Sequence, residues 1–286
     1  MHVLVAGMGW LGEAVARELH AAGHQVTGVR RRFPDPDALR AAGIEPLGCD
    51  LGDFHAVRRL PRDVQAVVVC TAPHVHGEDA YRAAYLEIND ALLERYEGAG
   101  LTSYVYTSST SVFGQTDGAD VDEDTPVHPV GRSAEILVEA EHRVRGAAGS
   151  VPTRVVRLSG LYGPGRAGVV DRVRQGQLTL GDGDLTWMNF CHRDDAVSFV
   201  RAALEGGAAG AVYHGSDAEP AHRRDVVLWI SGRLHLSPSV HHEPREGGDR
   251  RGPHRRILSR KSREALGVTL RYPSYREGLE PLLRTP

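Results

Sequence analysis

The run Gly7-Met8-Gly9-Trp10-Leu11-Gly12 sits directly behind Met1–Ala6, which reads as a buried strand, and opens Leu11–Ala22, which reads as a helix. Glycines at the first, third and sixth places of a strand-to-helix turn let the backbone bend tightly and bring a pyrophosphate onto the helix N-terminus. His24–Val29, after a Gly23 stop, reads as a second strand, so the chain begins with one βαβ unit. The six residues are expected to bind a dinucleotide; the alternative is a tight turn that serves packing alone.

The end of the second strand bears on which dinucleotide. An Asp or Glu there would hold a ribose hydroxyl, whereas this chain runs Val29-Arg30-Arg31-Arg32. Guanidinium groups pair with phosphate through charge-assisted bonds, so Arg30 and Arg31 are expected on a 2′-phosphate and the cofactor is expected to be NADP(H). A solvated arginine cluster is the alternative, since one of the 34 basic residues, Lys261, is a lysine and the rest are arginines. Asp50-Leu51, after the third strand, is expected near the adenine, and Thr71-Ala72-Pro73, after the fourth, on the path to the nicotinamide.

Apolar β-branched runs alternate with helix-periodic segments, which argues for an α/β fold, a doubly wound parallel sheet covered on both faces. Further strands are expected at Ile44–Leu47, Ala66–Cys70, Ser103–Thr107, Thr153–Leu158 and near Ala211–His214, with helices at His76–Ala99, Ser133–Ala147 and Asp194–Glu205. Residues 1–158, completed by about 189–214, read as the dinucleotide-binding core; 159–188 and 215–286 read as a smaller interleaved C-terminal lobe for substrate. Residues 237–256, rich in Pro, Gly, His and Arg, read as a surface loop. A net charge of -3 gives no reason to expect nucleic acid or a membrane surface as partner. Without a basic leader or a long apolar run the chain is expected in the cytoplasm, as a monomer or homodimer acting on a small molecule. Cys49, Cys70 and Cys191 are too few and too widely spaced for a disulfide framework, and no metal is expected.

Several blocks in order, Gly48-Cys49-Asp50-Leu51, Glu87-Ile88-Asn89-Asp90, Tyr106 through Gly114, Asp122 through Pro126, Arg157 through Gly165 and Asn189 through Ala196, make the chain resemble the extended short-chain dehydrogenase/reductases. The ending, Arg256 through Arg260 and Tyr272 through Leu279, resembles an atypical branch of NAD-dependent epimerase-like proteins. The resemblance implies a Rossmann-type sheet, Ser159 beside the cofactor and Ser109 as the hydroxyl facing the substrate oxygen, with Ser108 and Thr110 next to it. It also implies a catalytic Tyr with a Lys four residues later, in which the Lys lowers the phenol pKa. Neither is present: no tyrosine lies between Tyr106 and Tyr162, and aligning the chain puts the two positions on Ser133 and Leu137, or on Val130 and Ala134.

A reductase is still open to such a chain if Ser109 stabilises the developing oxyanion and the substrate provides acidity. His74, His76 and His192 are the histidines that could act as acid instead. His74, Val112, Phe113, Leu161, Tyr162, Trp187 and Met188 are expected to line the substrate pocket, which would suit a hydrophobic or aromatic ketone. A weaker likeness to dyad-lacking ketoreductases of polycyclic aromatic antibiotic pathways, those acting on angucyclinones included, points the same way. Two other readings stay open: an NADP(H) sensor without turnover, and a nucleotide-sugar epimerase or dehydratase, for which Arg157, Arg166, Arg172 and Arg174 could hold the diphosphate.

Overall fold

The computed structural model describes residues 1–75, 77–178, 180–181, 184–238 and 254–284. Its frame is a seven-stranded parallel sheet. The five strands β1 (His2–Ala6), β2 (Gln25–Arg30), β3 (Ile44–Gly48), β4 (Ala66–Val69) and β5 (Ser103–Ser109) are joined by Thr153–Leu158 and Val212–Gly215. The order across the sheet is Val212–Gly215, Thr153–Leu158, β5, β4, β1, β2, β3. This is the Rossmann-type, doubly wound arrangement, and the strand order reverses between β1 and β4, the place where such sheets open a crevice at their C-terminal edge.

The central strands are apolar on both sides because both faces are covered: every residue of Ala66-Val67-Val68-Val69 is buried. On one face helix α1 (Trp10–Ala21) and helix Arg193–Gly206 contribute Val15, Leu19, Phe199 and Val200 to a core with Val3, Val5 and Val68. On the other, the helices of Glu78–Tyr96 and Arg132–Gly146 bring Leu92, Tyr96, Ile136 and Val144 against Leu4, Val67 and Tyr104. Each such side chain contributes roughly 1.5–3 kcal/mol when fully removed from water. A third core, with Tyr162, Phe190, Val226, Ile230, Tyr275 and Leu279, belongs to the C-terminal segments. Asp195, 1% exposed, ties those segments to the sheet by accepting from the backbone nitrogens of Arg271 at 2.7 Å and Tyr272 at 3.0 Å.

The sheet strands lie within a residue or two of their expected positions. The helices Pro36–Ala41, Gly168–Arg174, Arg223–Arg233, Arg260–Leu266 and Tyr275–Leu279 were not anticipated; all are short, and Gly and Pro crowd their flanks. Of the expected loop 237–256, residues 239–253 lie outside the described residues, and its last residue needs correction: Arg256 opens a strand, Arg256–Ile257, which pairs in parallel with Asp120–Val121. Its anchor is Asn189, whose side chain donates to the Arg255 carbonyl at 3.0 Å and accepts from the Ile257 nitrogen at 2.7 Å. Periodicity cannot reveal a two-residue bridge made by a distant side chain. Among the described residues no helix is long and apolar enough to cross a membrane.

Candidate active site

A cleft of about 1040 Å3 follows the C-terminal edge of the sheet from the end of β2 to the end of β5. Its floor is the glycine turn, and each glycine has a separate geometric cause. Gly7 has φ +95, and a Cβ there would stand 2.9 Å from the backbone of Cys70 and Thr71. Gly12 packs so tightly that a Cβ would lie 2.1 Å from the Gly7 carbonyl oxygen. A Cβ on Gly9, by contrast, would meet no protein atom within 4 Å, since this residue faces the open cleft at the start of α1. The first amides of a helix lack intrahelical acceptors and carry the positive end of its dipole, so this opening fits a pyrophosphate.

The cleft brings most of the anticipated residues together. Gly7, Met8, Gly9, Trp10, Leu11, Arg30, Arg31, Asp50, Leu51, Thr71, Ala72, Pro73, His74, Ser108, Ser109, Thr110, Ser159, Leu161 and Trp187 all line it, while Gly12 lies beneath. Four do not reach it. Val112 ends a 3-10 turn, Thr110–Val112, and Phe113 follows it; the turn directs both into a small core with Val121, Leu137 and Ile257. Tyr162 is buried against Phe190 and His192 at ring separations of 5.7 and 5.2 Å, and Met188 stands beside the same core. Of the arginines considered for a sugar diphosphate, Arg157, Arg166, Arg172 and Arg174, only Arg166 lines the wall.

The two serines at the end of β5 have different surroundings. Ser108 donates to Glu141 Oε1 at 2.6 Å, and Glu141 is held by Arg157 through Nη2 to Oε2 at 2.7 Å and Nε to Oε1 at 3.0 Å. Ser109 Oγ accepts from the Ser111 nitrogen at 3.1 Å, and its own proton has no acceptor among the described residues. Ser108 is thus committed to a buried ion pair, and Ser109 keeps a donor for the cleft. Ser159, 5% exposed, also lines the wall with a hydroxyl that has no partner.

The positions implied for the Tyr–Lys pair lie elsewhere. Ser133 is exposed and Leu137 buried in the small core; in the other alignment Val130 is 65% exposed and Ala134 5%. Lys261 binds Asp122 at 2.6 Å and also Asp124, and does not line the cleft. Among the histidines considered, His74 is an exposed wall residue, and His76 falls outside the described residues. His192 is buried off the wall, accepts from the Asp194 nitrogen at 3.2 Å, and has its pKa lowered by burial to about 4, so it is neutral near pH 7. No group of three or more metal-ligating side chains occurs among the described residues.

Three further wall residues, Tyr85, Asn189 and Arg255, were not anticipated as site residues. Tyr85 comes from a π-helical turn, Arg82–Glu87, that interrupts the long helix, and burial raises its pKa to about 12. Such turns recur at functional sites because an extra residue rotates the side chains that follow. The turn is braced by Thr71 Oγ1 donating to the Ala84 carbonyl and Asn89 Nδ2 to the Tyr85 carbonyl, both at 2.7 Å. Trp10 donates through its indole to the Pro164 carbonyl at 2.8 Å and lies against the guanidinium groups of Arg166 and Arg193 at 5.4 and 5.3 Å. Asn189 and Arg255 complete the wall beyond β5.

The sequence profile of the NAD dependent epimerase/dehydratase family matches residues 3–214. Protein YeeZ of Escherichia coli K12 is 32% identical over 235 residues, covering 79% of this chain and 81% of its own. The 2-alkyl-3-oxoalkanoate reductase of Stenotrophomonas maltophilia is 31% identical over 250 residues, covering 79% of this chain and 74% of its own. Among solved structures, a conserved protein of unknown function from Silicibacter pomeroyi superposes with a TM-score of 0.79 at 29% identity, covering 98% of this chain and 97% of that one.

Proposed function

Because the chain belongs to the NAD dependent epimerase/dehydratase family of extended short-chain dehydrogenases, we propose that it is an NADPH-dependent reductase of a small-molecule carbonyl, working without the usual Tyr–Lys pair. The observation that carries this reading is the Ser109 hydroxyl, on the cleft wall with no acceptor of its own among the described residues. Arg30 and Arg31, on the wall at the end of β2 and paired with no carboxylate among the described residues, support NADPH over NADH. Gly9 and the first turn of α1 would hold the pyrophosphate.

A reduced dinucleotide bound there would supply the hydride for a carbonyl carbon. The π pair of the carbonyl moves to its oxygen, Ser109 donates a hydrogen bond to that oxygen, and water or an acidic group of the substrate delivers the proton. Tyr85 remains a protonated phenol at working pH and is a second donor on the wall. Leu161 and Trp187 favour a hydrophobic or aromatic ketone, of the angucyclinone kind among others, although four of the apolar residues expected to shape such a pocket lie away from it. The 2-alkyl-3-oxoalkanoate reductase from Stenotrophomonas maltophilia, by its name, also acts on a ketone. Epimerase and dehydratase chemistry begins by removing a proton from a sugar hydroxyl, and no lysine-supported tyrosine is available for that step.

The exposed Ser133 and buried Leu137 favour one second reading, a non-catalytic NADP(H) sensor. Incubation with NADPH deuterated at C4, on each face in turn, and a panel of ketones separates the two. Enzyme-dependent deuterium in an alcohol product supports the reductase; firm NADPH binding with no label in any product gives first place to the sensor.

A further inference from the structure

Among the described residues three arginines are almost wholly buried, and two of them have several hydrogen-bond acceptors each. Arg157, 4% exposed, holds Glu141 in a bidentate pair. Arg154, 8% exposed, donates to the carbonyls of Gly207 at 2.7 Å, Thr102 at 3.3 Å and Pro152, and to Ser103 Oγ at 3.2 Å. Arg255, 7% exposed, has one bond, from Nη2 to the Thr110 carbonyl at 2.6 Å; its Nε is buried with no partner, and no carboxylate among the described residues lies within 4 Å. A buried cation with neither a counter-charge nor a set of oxygen acceptors around it costs several kcal/mol, so such a group gains a partner in the working state. Burial alone pulls the Arg255 pKa down to about 10, with no anion opposing it.

Arg255 also lines the cleft, and the Asn189 side chain holds its carbonyl and the nearby Ile257 nitrogen. Its partner Thr110 directly follows Ser109. The pyrophosphate cradle lies at the end of β1, which is separated from β5 by β4. At ~4.8 Å per strand that is a separation of about 10 Å. The arginines for the 2′-phosphate are one strand further. The counter-charge is therefore not the cofactor's.

We infer that Arg255 binds a carboxylate of the substrate, so that the molecule reduced is an oxo acid whose carbonyl meets Ser109 while its carboxylate meets Arg255. The inference rests on the proposed reduction for the word substrate, whereas the anion site stands on geometry alone. The two can fail separately, so the test reads binding apart from turnover.

In the NADP-loaded protein, 3-hydroxyoctanoate, its methyl ester and octyl phosphate are titrated by calorimetry, with 3-oxo-octanoate and its methyl ester assayed for NADPH oxidation. The acid is expected to bind at least tenfold more tightly than the ester, and Arg255→Met to abolish that preference while leaving ester binding unchanged. Arg255→Lys, which keeps a charge without the fork, should retain part of it. Because the guanidinium is uncompensated in the free protein, Arg255→Met should leave the melting temperature unchanged or raised; a merely structural arginine would lower it. Equal binding of acid and ester, binding of neither, or a preference for octyl phosphate that Arg255→Met removes would each overturn the carboxylate assignment. An acid preference without NADPH oxidation would keep the anion site and sink the reductase.

Discussion

Arg157 and Glu141 meet in a bidentate pair with 5% and 2% of their side chains exposed, and this pair fixes the strand end that carries Ser108 and Ser109. Breaking one half of a buried pair costs about 3–5 kcal/mol, because the remaining charge is stranded. Glu141→Ala is therefore expected to lower the melting temperature by on the order of 10 °C. Differential scanning calorimetry checks it, and the double variant Glu141→Leu/Arg157→Met should recover much of the loss.

Gly9 and Gly12 should respond in opposite ways. A side chain at Gly9 enters open cleft, so Gly9→Val should leave the fold intact and raise the NADPH Kd roughly tenfold or more, a loss of at least ~1.4 kcal/mol. At Gly12 the added methyl collides with the Gly7 carbonyl, so Gly12→Ala should destabilise the fold by about 1–3 kcal/mol. Cofactor fluorescence titration and urea unfolding, run on both variants, separate these outcomes.

Replacing Arg30 and Arg31 by Ser should weaken NADPH binding by roughly 10- to 100-fold, the worth of a charge-assisted bond to phosphate, and leave NADH nearly unaffected. Equal effects on both dinucleotides would contradict the 2′-phosphate contact.

Ser109→Ala should lower kcat by roughly 100- to 1000-fold, the cost of removing one oxyanion donor, with little change in cofactor affinity. Ser133→Ala, on an exposed position, should change neither. Since burial holds the Tyr85 phenol at about 12, its ionisation should not shape the rate profile between pH 6 and pH 10. Steady-state kinetics across that range supplies the check.

Asp217 is 2% exposed, and burial raises its pKa to about 8 against the opposing pull of the Glu219 backbone N–H, with the charges of Glu219, Asp195 and Glu277 adding to the rise. The folded protein therefore holds a proton that the unfolded chain releases near pH 4. This contribution to stability is complete below about pH 4 and declines as pH rises toward 8. Asp217→Asn should flatten that decline, which urea denaturation at pH 5 and pH 8.5 would show.

The sheet, and the gathering of the glycine turn and the arginines in one cleft, were legible because their signals are local. Strand period, the glycine spacing and the triple arginine each sit within a few consecutive residues, and Gly7 to Leu11, Arg30 and Arg31 line one cleft. The substrate end was read less well, for reasons of distance. Val112 and Phe113 were expected at the wall, but the 3-10 turn after β5 changes which way the chain faces. Tyr85 lines the cleft only because one helical turn is π rather than α, and no residue type announces that. Arg255 lay in a segment read as loop, within a chain where arginine is too common to draw notice.

The Asn189 clamp joins residues 66 positions apart, and the wall it completes draws on Ser109, Asn189 and Arg255 from three distant stretches. The dinucleotide half, in contrast, is built from neighbouring β-α units. Since non-local contacts form only after loop entropy has been overcome, a chain leaving the ribosome assembles its cofactor platform early and acquires a substrate chamber only when residues beyond Arg255 have been made and docked.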